Sequence, residues 1–504
     1  MYSIVNSLVA WYLSRRWSEI DNFVLYSHDI QRKLLFQMLA DSANTVFGRQ
    51  YDFHKMKNTQ DYKSAVPIHT YEDLKPYIER NMHGEQQILW HSDIEWFAKS
   101  SGTSSDKSKF IPVSKESLNE IHYKGGQDLL TFYFRNNPES KLFTGKSLIM
   151  GGSYSSLPRG DKIRVGDVSA VMMQNMSMLG NLFRAPDLEI ALMNEWEEKI
   201  EKIVHTTINE NITQIAGVPS WTLVLLKRIL TITGKSNILD IWPNLELYTH
   251  GGVNFMPYQS QFDNILGRNK IKYYQVYNAS EGFFSIQDRN NSDDMLLMLD
   301  YGIYYEFMPI EELAKGSPRT LSLYEIELNK NYAPIITTNS GLYRYIIGDT
   351  IRFTSTSPYR IQVTGRTKAY INTFGEELIV DNTDKALTQA CKQTNAVLHE
   401  YTVAPIYFTD KDNGAHEWII EFEKEPKNLI QFTEILDTQL QAINSDYEAK
   451  RYKNIALRLP IIHNAPKGTF YTWMKSRGKV GGQNKVPRLS NERTYINDIL
   501  KLIL

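Results

Sequence analysis

Residues 100–112 read SSGTSSDKSKFIP, and no other stretch says as much about the fold. Hydroxyl side chains surround Gly102, and Lys107 and Lys109 follow. A loop of this composition can present backbone N–H groups, hydroxyls and an ammonium group to a polyphosphate. On its own, such a stretch is more often a solvated serine-rich turn. The Walker spacing GxxxxGK[ST] is absent, which excludes the commonest class of nucleotide-binding loop.

Residues 273–282 read YYQVYNASEG, which predicts a strand that runs into a turn. The turn would bring an aromatic ring, a hydroxyl and a carboxylate together at the carboxyl end of the strand. Tyr277 can stack on a flat base, and Glu281 can hold Mg²⁺ through a carboxylate oxygen. An ordinary turn with a solvated glutamate is an equally good interpretation of this stretch alone.

Residues 341–349 read GLYRYIIGD, and residues 365–368 read GRTK. Asp349 follows Gly348, and its carboxylate offers two parallel acceptors that suit the two hydroxyls of a ribose. A lone Gly-Asp pair is usually only a turn.

Residues 478–488 read GKVGGQNKVPR, a glycine-rich loop that carries Lys485. Most basic glycine-rich loops are plain surface. A lysine here could also neutralise negative charge that develops during a reaction, and the glycines would let the loop move.

These four segments, in this order, resemble the motifs of the adenylate-forming superfamily, which includes acyl-CoA synthetases, luciferase and peptide-synthetase adenylation domains. The opening Ser-Ser-Gly-Thr-Ser and the closing Lys-Phe-Ile-Pro resemble most closely the auxin-responsive Gretchen Hagen family of acyl-acid amido synthetases. The chain is identified as a bacterial-type member. Asp106 stands where glycine is more usual, and aspartate tolerates left-handed backbone better than most residues.

The resemblance implies that ATP and Mg²⁺ are the cofactors of a two-step ligase. The enzyme would activate a carboxylic acid as an acyl-adenylate, release pyrophosphate, and transfer the acyl group to the amine of an amino acid, giving an amide and AMP. Lys485 and Lys109 would be catalytic, Glu281 would be the metal ligand, and Lys368 would lie at a domain hinge. The nucleotide would be bound by Ser100, Ser101, Gly102, Thr103, Ser104, Gly251, Gly252, Tyr277, Ser280, Glu281, Asp349 and Arg366.

The pattern around these motifs predicts an α/β fold. Strand-like and helix-like runs alternate, which is typical of βαβ units and a parallel sheet with the chemistry in its loops; the runs are Ser147–Met150, Leu188–His205, Thr213–Ala216, Trp221–Ile232, Leu245–Tyr248, Phe262–Leu266 and Tyr273–Tyr277. From residue 295 to 363 the chain is β-rich, which predicts an antiparallel subdomain with strands at Leu296–Leu299, Ile303–Met308, Thr320–Ile326 and Arg360–Val363.

After Arg366 the pattern predicts a small α+β domain, with helices near Val380–Gln393 and Leu429–Asn444. Together with this pattern, the resemblance implies a large multi-sheet N-terminal adenylation domain over residues 1–365. A smaller C-terminal lid domain is expected over residues 366–504, with the hinge near residues 366–368.

Composition excludes several classes of protein. The chain has 504 residues, with 56 Lys plus Arg against 57 Asp plus Glu, and no dense basic cluster, so we expect no nucleic-acid partner. No apolar run reaches the roughly 18 residues of a membrane span, so we expect no membrane association. Cys391 is the only cysteine, which excludes an intrachain disulfide and favours the cytoplasm. Zinc-protease and nucleophile-elbow motifs are absent.

Two alternatives remain open from the sequence. An acyl-CoA ligase of the same superfamily would use a thiol in place of the amine, and a nucleotide-binding protein without catalysis would use only the binding motifs. The acid is not identified by the sequence. Tyr123 and Lys124, on the helix predicted after the serine-rich loop of residues 100–112, are candidates for its pocket. The oligomeric state is also open.

Overall fold

The structure, a computed structural model, divides into two compact units. One comprises Met1–Gly252 with Leu266–Gln362, and the other comprises Val253–Ile265 with Val363–Leu504. The described residues are 2–100, 109–152, 154–156, 163–176, 178–267, 270–313, 315–367, 370–371, 373, 376, 378–407, 414–451, 457–480 and 484–503. The predicted boundary at residues 365 and 366 stays a prediction.

The described chain begins with helices up to residue 82, alternates between helices and strands from residue 96 to residue 272, and consists mainly of strands from there to residue 366. The helices are α1 (Tyr2–Ser14), α2 (Trp17–Leu25), α3 (Ser27–Ser42), α4 (Val46–Gln50), α5 (Thr59–Ala65), α6 (Tyr71–Met82), α7 (Lys115–Ser117), α8 (Lys124–Asn136), α9 (Val168–Gln174), α10 (Met178–Leu182), α11 (Leu188–Ala191), α12 (Trp196–Thr207), α13 (Pro219–Thr233) and α14 (Met256–Leu266). The strands are β1 (Trp96–Ser100), β2 (Lys109–Val113), β3 (Lys146–Ile149), β4 (Tyr154–Ser156), β5 (Arg164–Gly166), β6 (Arg184–Ala185), β7 (Ile212–Ala216), β8 (Leu247–Gly251), β9 (Lys272–Ala279), β10 (Gly282–Ile286), β11 (Met295–Leu297), β12 (Ile303–Pro309), β13 (Asn331–Thr338), β14 (Tyr345–Ile346), β15 (Asp349–Thr356) and β16 (Tyr359–Arg366).

The main sheet of the N-terminal unit has twelve strands, ordered β12-β13-β15-β16-β11-β10-β9-β8-β7-β3-β6, with β14 beside β13. Neighbours from β9 to β6 pair in parallel, as predicted from the alternating pattern. The strands β9, β10 and β11 pair antiparallel, as do β12 and β13. The predicted antiparallel segment therefore continues the same sheet. A second sheet has the order β2-β1-β5-β4.

Local side-chain chemistry sets the ends of several elements. Ser114 caps α7, because its hydroxyl accepts a hydrogen bond from the backbone N–H of Ser117 at 2.9 Å. The strand predicted over Thr320–Ile326 is wrong. Ser322 and Glu325 form a capping box there, and a 3₁₀ turn over Leu323–Glu325 replaces the strand.

The C-terminal unit has three layers. Its further helices are α15 (Val380–Thr394), α16 (Leu429–Ile443), α17 (Ser445–Arg451), α18 (Thr469–Ser476) and α19 (Thr494–Ile503), and its strands are β17 (Tyr370–Ile371), β18 (Leu378–Ile379), β19 (Val397–Ile406), β20 (Ala415–Lys424) and β21 (Ile461–Ala465). Because side chains alternate along a strand, Trp418 and Ile420 of β20 join the core under α15 and α16. Ile419, between them, joins the core under α18 and α19.

Helix α14 belongs to the C-terminal unit although its sequence lies inside the N-terminal region. The side-chain amide of Gln261 donates a hydrogen bond to the carbonyl of Leu398 on β19 at 2.8 Å, and Tyr258 is fully buried. The sequence did not predict that this helix would pack in the C-terminal unit. Among the described residues, no helix combines the length and the hydrophobicity that a bilayer span needs.

Candidate active site

The carboxyl ends of three parallel strands lie side by side in the N-terminal unit. Ala216 of β7 pairs with Thr249 of β8, and Gly251 of β8 pairs with Val276 of β9. Ligands of open α/β sheets bind outside the carboxyl ends of such strands. The loops that leave this edge of the sheet therefore form the candidate ligand-binding region.

Strand β9 turns into β10 through a two-residue hairpin loop made of Ser280 and Glu281. Tyr277 is 8% exposed and Glu281 is 6% exposed, whereas Ser280 is half-buried. The predicted strand and turn are confirmed. The turn holds a carboxylate in a largely buried position instead of releasing it to solvent, which disfavours the interpretation as an ordinary surface turn.

Asp349 begins β15, directly after Gly348, whose φ of 96° lies in the left-handed region that favours glycine. The Asp349 side chain is 7% exposed. The hydroxyl of Tyr277 donates a hydrogen bond to its Oδ2 atom at 2.8 Å. The structure therefore joins the aromatic ring of one sequence motif to the carboxylate of another.

Tyr345 makes a second connection between the same two motifs. It is fully buried, and its hydroxyl lies 3.5 Å from Oε1 of Glu281. Burial, followed by the charges of Glu281 and Asp349, raises the pKa of Tyr345 well above its usual value. The phenol therefore stays protonated and can only donate toward the carboxylate. The sequence motif contained Tyr345, but nothing in the pattern gave it a role.

Arg344 anchors this segment in the protein core. Its guanidinium makes two 2.9 Å hydrogen bonds to the carboxylate of Glu306 and one of 2.7 Å to the carbonyl of Val66. The residue has a left-handed φ of 45°, a conformation that costs free energy and persists because these bonds hold it. The arginine of the motif therefore supports the backbone that carries Tyr345.

The two ends of the serine-rich loop are described. Ser100 and Lys109 lie opposite each other where β1 and β2 pair antiparallel. The ammonium of Lys109 lies 5.8 Å from the centroid of the Tyr71 ring, within range of a cation–π contact. The hydroxyl of Tyr71 also accepts a 3.0 Å hydrogen bond from the backbone N–H of Phe110, which follows Lys109 on β2. Ser101, Gly102, Thr103, Ser104 and Lys368 lie outside the described residues.

The glycine pair at the end of β8 lies beside the strand that carries Tyr277. A Cβ atom on Gly251 would lie 2.5 Å from the carbonyl oxygen of Val276, so a side chain does not fit there. Gly252 has a left-handed φ of 82°. Both positions therefore require glycine.

Arg366 and Lys485 lie in the C-terminal unit. Arg366 is exposed at the end of β16, and Lys485 is half-buried. The chain after Lys485 is fixed to β19, where the backbone N–H of Val403 donates to the carbonyl of Arg488 at 2.9 Å. The roles of these two residues stay predictions, as do those of the other site residues.

The residues suggested for the acid pocket have partners within the protein. The hydroxyl of Tyr123 donates to the carbonyl of Met172 at 2.7 Å, and the ammonium of Lys124 lies 3.1 Å from the Asp300 carboxylate. These contacts explain both side chains by packing and charge pairing. Their part in binding an acid stays a prediction.

Magnesium fits the donor atoms present. Among the described residues, no three His, Cys, Asp or Glu side chains form a complete metal site. Mg²⁺ commonly takes one or two protein carboxylates and completes its shell with water and substrate phosphates. The buried Glu281 carboxylate meets that requirement.

The fold defines the class of protein. The structure of 2-hydroxyisobutyryl-CoA ligase in the postadenylation state superposes with a TM-score of 0.62 at 13% identity, over 94% of this chain and 91% of the ligase. GH3.15 acyl acid amido synthetase superposes with a TM-score of 0.79 at 18% identity, over 97% of this chain and 96% of that one. The protein has the fold of adenylate-forming enzymes, and the predicted fold class, a large N-terminal and a smaller C-terminal domain, is confirmed.

The sequence then gives the family. Residues 16–271 match the GH3 family N-terminal domain, residues 296–366 the GH3 family central domain, and residues 381–494 the GH3 family C-terminal domain. The chain belongs to the GH3 family, which confirms the resemblance drawn from the motifs.

Relatives named for their activity match over nearly the whole chain. Indole-3-acetic acid-amido synthetase GH3.4 of Arabidopsis thaliana is 24% identical over 94% of this chain and 90% of its own length. Jasmonoyl–L-amino acid synthetase JAR4 of Nicotiana attenuata is 24% identical over 93% of this chain and 92% of its own. These relatives confirm the predicted class of enzyme, an amide-forming ligase.

Proposed function

We propose that the protein joins a small carboxylic acid to the amino group of an amino acid with ATP. In the first step, a carboxylate oxygen attacks the α-phosphate of ATP, so that an acyl-adenylate forms and pyrophosphate leaves. In the second step, the neutral amine attacks the acyl carbon and loses a proton to solvent, the amide forms, and AMP leaves with the electron pair of the broken C–O bond. The observation that carries the proposal is the cross-connected set of Tyr277, Asp349, Glu281 and Tyr345 in a GH3 chain.

The connected pair of Tyr277 and Asp349 suits the nucleoside part of ATP. A carboxylate can accept hydrogen bonds from both ribose hydroxyls, and a hydrogen bond from the Tyr277 phenol keeps the Asp349 carboxylate oriented. The adenine ring of ATP is proposed to bind between the Tyr277 ring and the glycine pair at residues 251 and 252. ATP is therefore the substrate that this end of the site fits best.

The phosphate end of ATP is assigned to the serine-rich loop, Lys109 and Glu281. Lys109 carries a positive charge at the end of the loop, and Glu281 offers an oxygen ligand to magnesium. Bound magnesium would neutralise charge on the phosphates. Lys485 would stabilise the charge between the acid and the α-phosphate, and Arg366 would contact ribose or phosphate.

An amine is favoured over a thiol as the acceptor. The relatives that match over nine tenths of the chain are named amido synthetases, and one is named for an L-amino acid. The similarity to a CoA ligase is limited to 13% identity and carries only the fold. We expect the enzyme to act in the cytoplasm, since a chain with a single cysteine suits a reducing compartment.

Pyrophosphate exchange tests the first step. The purified enzyme, ATP, MgCl₂ and labelled pyrophosphate are incubated with a panel of aryl, alkyl and indolyl carboxylic acids. We expect label to enter ATP only when a suitable acid is present. Exchange with none of the acids would contradict the proposed activation.

AMP release tests the acceptor in a second experiment. With the active acid, we expect AMP release to increase when one of the twenty amino acids is added, and mass spectrometry to detect the amide. Stimulation by coenzyme A in place of amino acids would support the thiol alternative. The variant Lys109→Ala serves as the control for site-dependent turnover.

A further inference from the structure

Arg488 lies three residues after Lys485 and is bound on several sides in the C-terminal unit. Its guanidinium lies 3.2 Å from the carboxylate of Asp384 and 3.1 Å from that of Glu400. It also donates a 2.7 Å hydrogen bond to the hydroxyl of Tyr258 and lies 4.4 Å from the centroid of the Tyr401 ring. The side chain is 11% exposed, so these contacts are largely shielded from water.

The partners of Arg488 come from three separate elements. Asp384 belongs to α15, Glu400 and Tyr401 belong to β19, and Tyr258 belongs to α14. Arginine presents five N–H donors in one rigid plane, which lets a single side chain bind acceptors and aromatic rings on several elements together. Asp384 is itself held by the hydroxyl of Tyr401 at 2.7 Å. The cluster therefore has a defined geometry.

The backbone around Arg488 is fixed to β19 as well. The hydroxyl of Thr402 donates to the carbonyl of Pro487 at 2.7 Å, and the N–H of Ser490 donates to the carbonyl of Val403 at 3.1 Å. Only Val486 stands between Lys485 and this anchored segment. Since an extended residue spans about 3.5 Å, the Cα of Lys485 lies within about 7 Å of a fixed backbone atom.

We propose that Arg488 is a positioning residue that holds Lys485 where the first step needs it, and that Tyr258 of α14 completes the Arg488 site. This inference rests on the proposed catalytic role of Lys485. The cluster holds the chain on the carboxyl side of Lys485, so loss of the arginine would leave the lysine charged but poorly placed. A positioning role through Lys485 must therefore affect the same step as Lys485 itself.

A second buried arginine of the same unit provides a matched control. Arg451 on α17 binds Asp437 with two hydrogen bonds of 2.6 and 2.9 Å and donates to the carbonyl of Leu457 at 2.7 Å. Its side chain is 7% exposed, similar to Arg488. Replacement of Arg451 removes a comparable buried ion pair and leaves the anchored segment that follows Lys485 in place.

The first experiment measures hydrogen–deuterium exchange of the backbone amides of residues 484–490 in the full chain. We expect exchange in Arg488→Met to be faster by about tenfold or more, because the charge-assisted bonds are lost. Arg451→Met is expected to leave this segment within about twofold of the wild type. The proposal would be overturned if both variants accelerated the exchange equally, or if neither variant accelerated it. This measurement needs no substrate, so it decides the local role of Arg488 even if the proposed ligase activity fails.

The second experiment compares the two half-reactions. Arg488→Met should lower kcat of pyrophosphate exchange by about tenfold or more, leave the KM for ATP within about twofold, and spare the conversion of a supplied acyl-adenylate. Lys485→Ala combined with Arg488→Met should be no slower than Lys485→Ala alone, since both act through one group. Equal losses in the two half-reactions, or additive losses in the double variant, would contradict a role through Lys485.

Two conservative variants keep the test valid if Arg488→Met does not fold. Arg488→Lys retains the charge but not the planar fork, and Tyr258→Phe removes only one hydroxyl partner of the guanidinium. Both should slow pyrophosphate exchange by about two- to tenfold with the same sparing of the second half-reaction. Wild-type rates in both variants would overturn the proposal.

Discussion

Asp349 receives a hydrogen bond from Tyr277, and this contact makes the nucleoside end of the site testable. We expect Asp349→Ala to raise the KM for ATP by about tenfold or more, because a charge-assisted hydrogen bond contributes roughly 1.5–3 kcal/mol. Tyr277→Phe keeps the ring and removes only the hydroxyl, so its effect should be smaller. Steady-state kinetics and the melting temperature are measured for both. Wild-type ATP affinity of Asp349→Ala, measured by calorimetry, would remove Asp349 from the site.

Glu281 is the proposed ligand of magnesium. Glu281→Gln retains the size of the side chain and removes its charge, so we expect the magnesium concentration for half-maximal pyrophosphate exchange to rise about tenfold or more. Tyr345→Phe is the matched control, because it removes the phenol beside the carboxylate and no charge. A magnesium titration identical to that of the wild type would argue against a metal-ligand role.

At the residue scale, the sequence predicted the groups that would contact substrate but not the groups that hold them. Asp349 and Glu281 were identified because their local motifs resemble those of known enzymes. The support from Tyr345 and the pairing of Arg344 with Glu306 were not predictable, since the partners are separated by 64 and 38 positions. Nothing local in a sequence marks such pairs.

The β1–β2 hairpin carries Lys109 opposite Ser100, at the two ends of the serine-rich loop. Lysine is proposed to contact the β- and γ-phosphates, which ATP has and AMP lacks. We therefore expect Lys109→Ala to weaken ATP binding by about tenfold or more and AMP binding by less than about twofold. Isothermal titration calorimetry with both nucleotides checks this. An equal loss of affinity for ATP and AMP would indicate a structural role for the lysine.

At the element scale, local signals predicted some elements closely and missed others. The helix expected over Val380–Gln393 is α15, Val380–Thr394, because its apolar positions recur at helical spacing. Strand β13 was missed, since Pro334 interrupts a run that otherwise reads as a strand. Helix α14 was expected, but its membership of the C-terminal unit depends on contacts with β19 that no local pattern encodes.

The predicted division of labour between the domains is tested by Lys485→Ala. Its charge is needed while pyrophosphate leaves, so we expect pyrophosphate exchange to fall about a hundredfold or more. Conversion of a supplied acyl-adenylate should continue, because the C-terminal domain is predicted to turn about residues 366–368 before the amine attacks. Wild-type exchange would contradict the assignment, and equal damage to both steps would contradict the predicted movement.

Two buried histidines of the N-terminal unit should make the free energy of unfolding depend on pH. Burial lowers the pKa of His122 to about 4 and that of His250 to about 3. The unfolded chain binds these protons below about pH 6.5 while the folded protein does not, so the free energy of unfolding decreases as the pH falls from 6.5 to 4. The slope is at most about 1.4 kcal/mol per pH unit for each histidine.

Calorimetric scans between pH 4 and pH 7 measure this effect. His122→Gln should flatten the dependence of the melting temperature on pH, because glutamine does not titrate. His54→Gln replaces an exposed histidine and is the control. Parallel curves for wild type, His122→Gln and His54→Gln would show that proton uptake by His122 does not contribute.

The C-terminal unit is assembled from two separated chain segments, Val253–Ile265 and Val363–Leu504. This limits how the protein can be recombined with its relatives. A chimera that replaced only the sequence after residue 362 with that of a relative would combine the relative's counterparts of Arg488 and β19 with the original Tyr258 and Gln261. A functional chimera therefore has to receive helix α14 together with the C-terminal sequence. Such an exchange needs two replaced segments in the gene, and a single crossover is not enough.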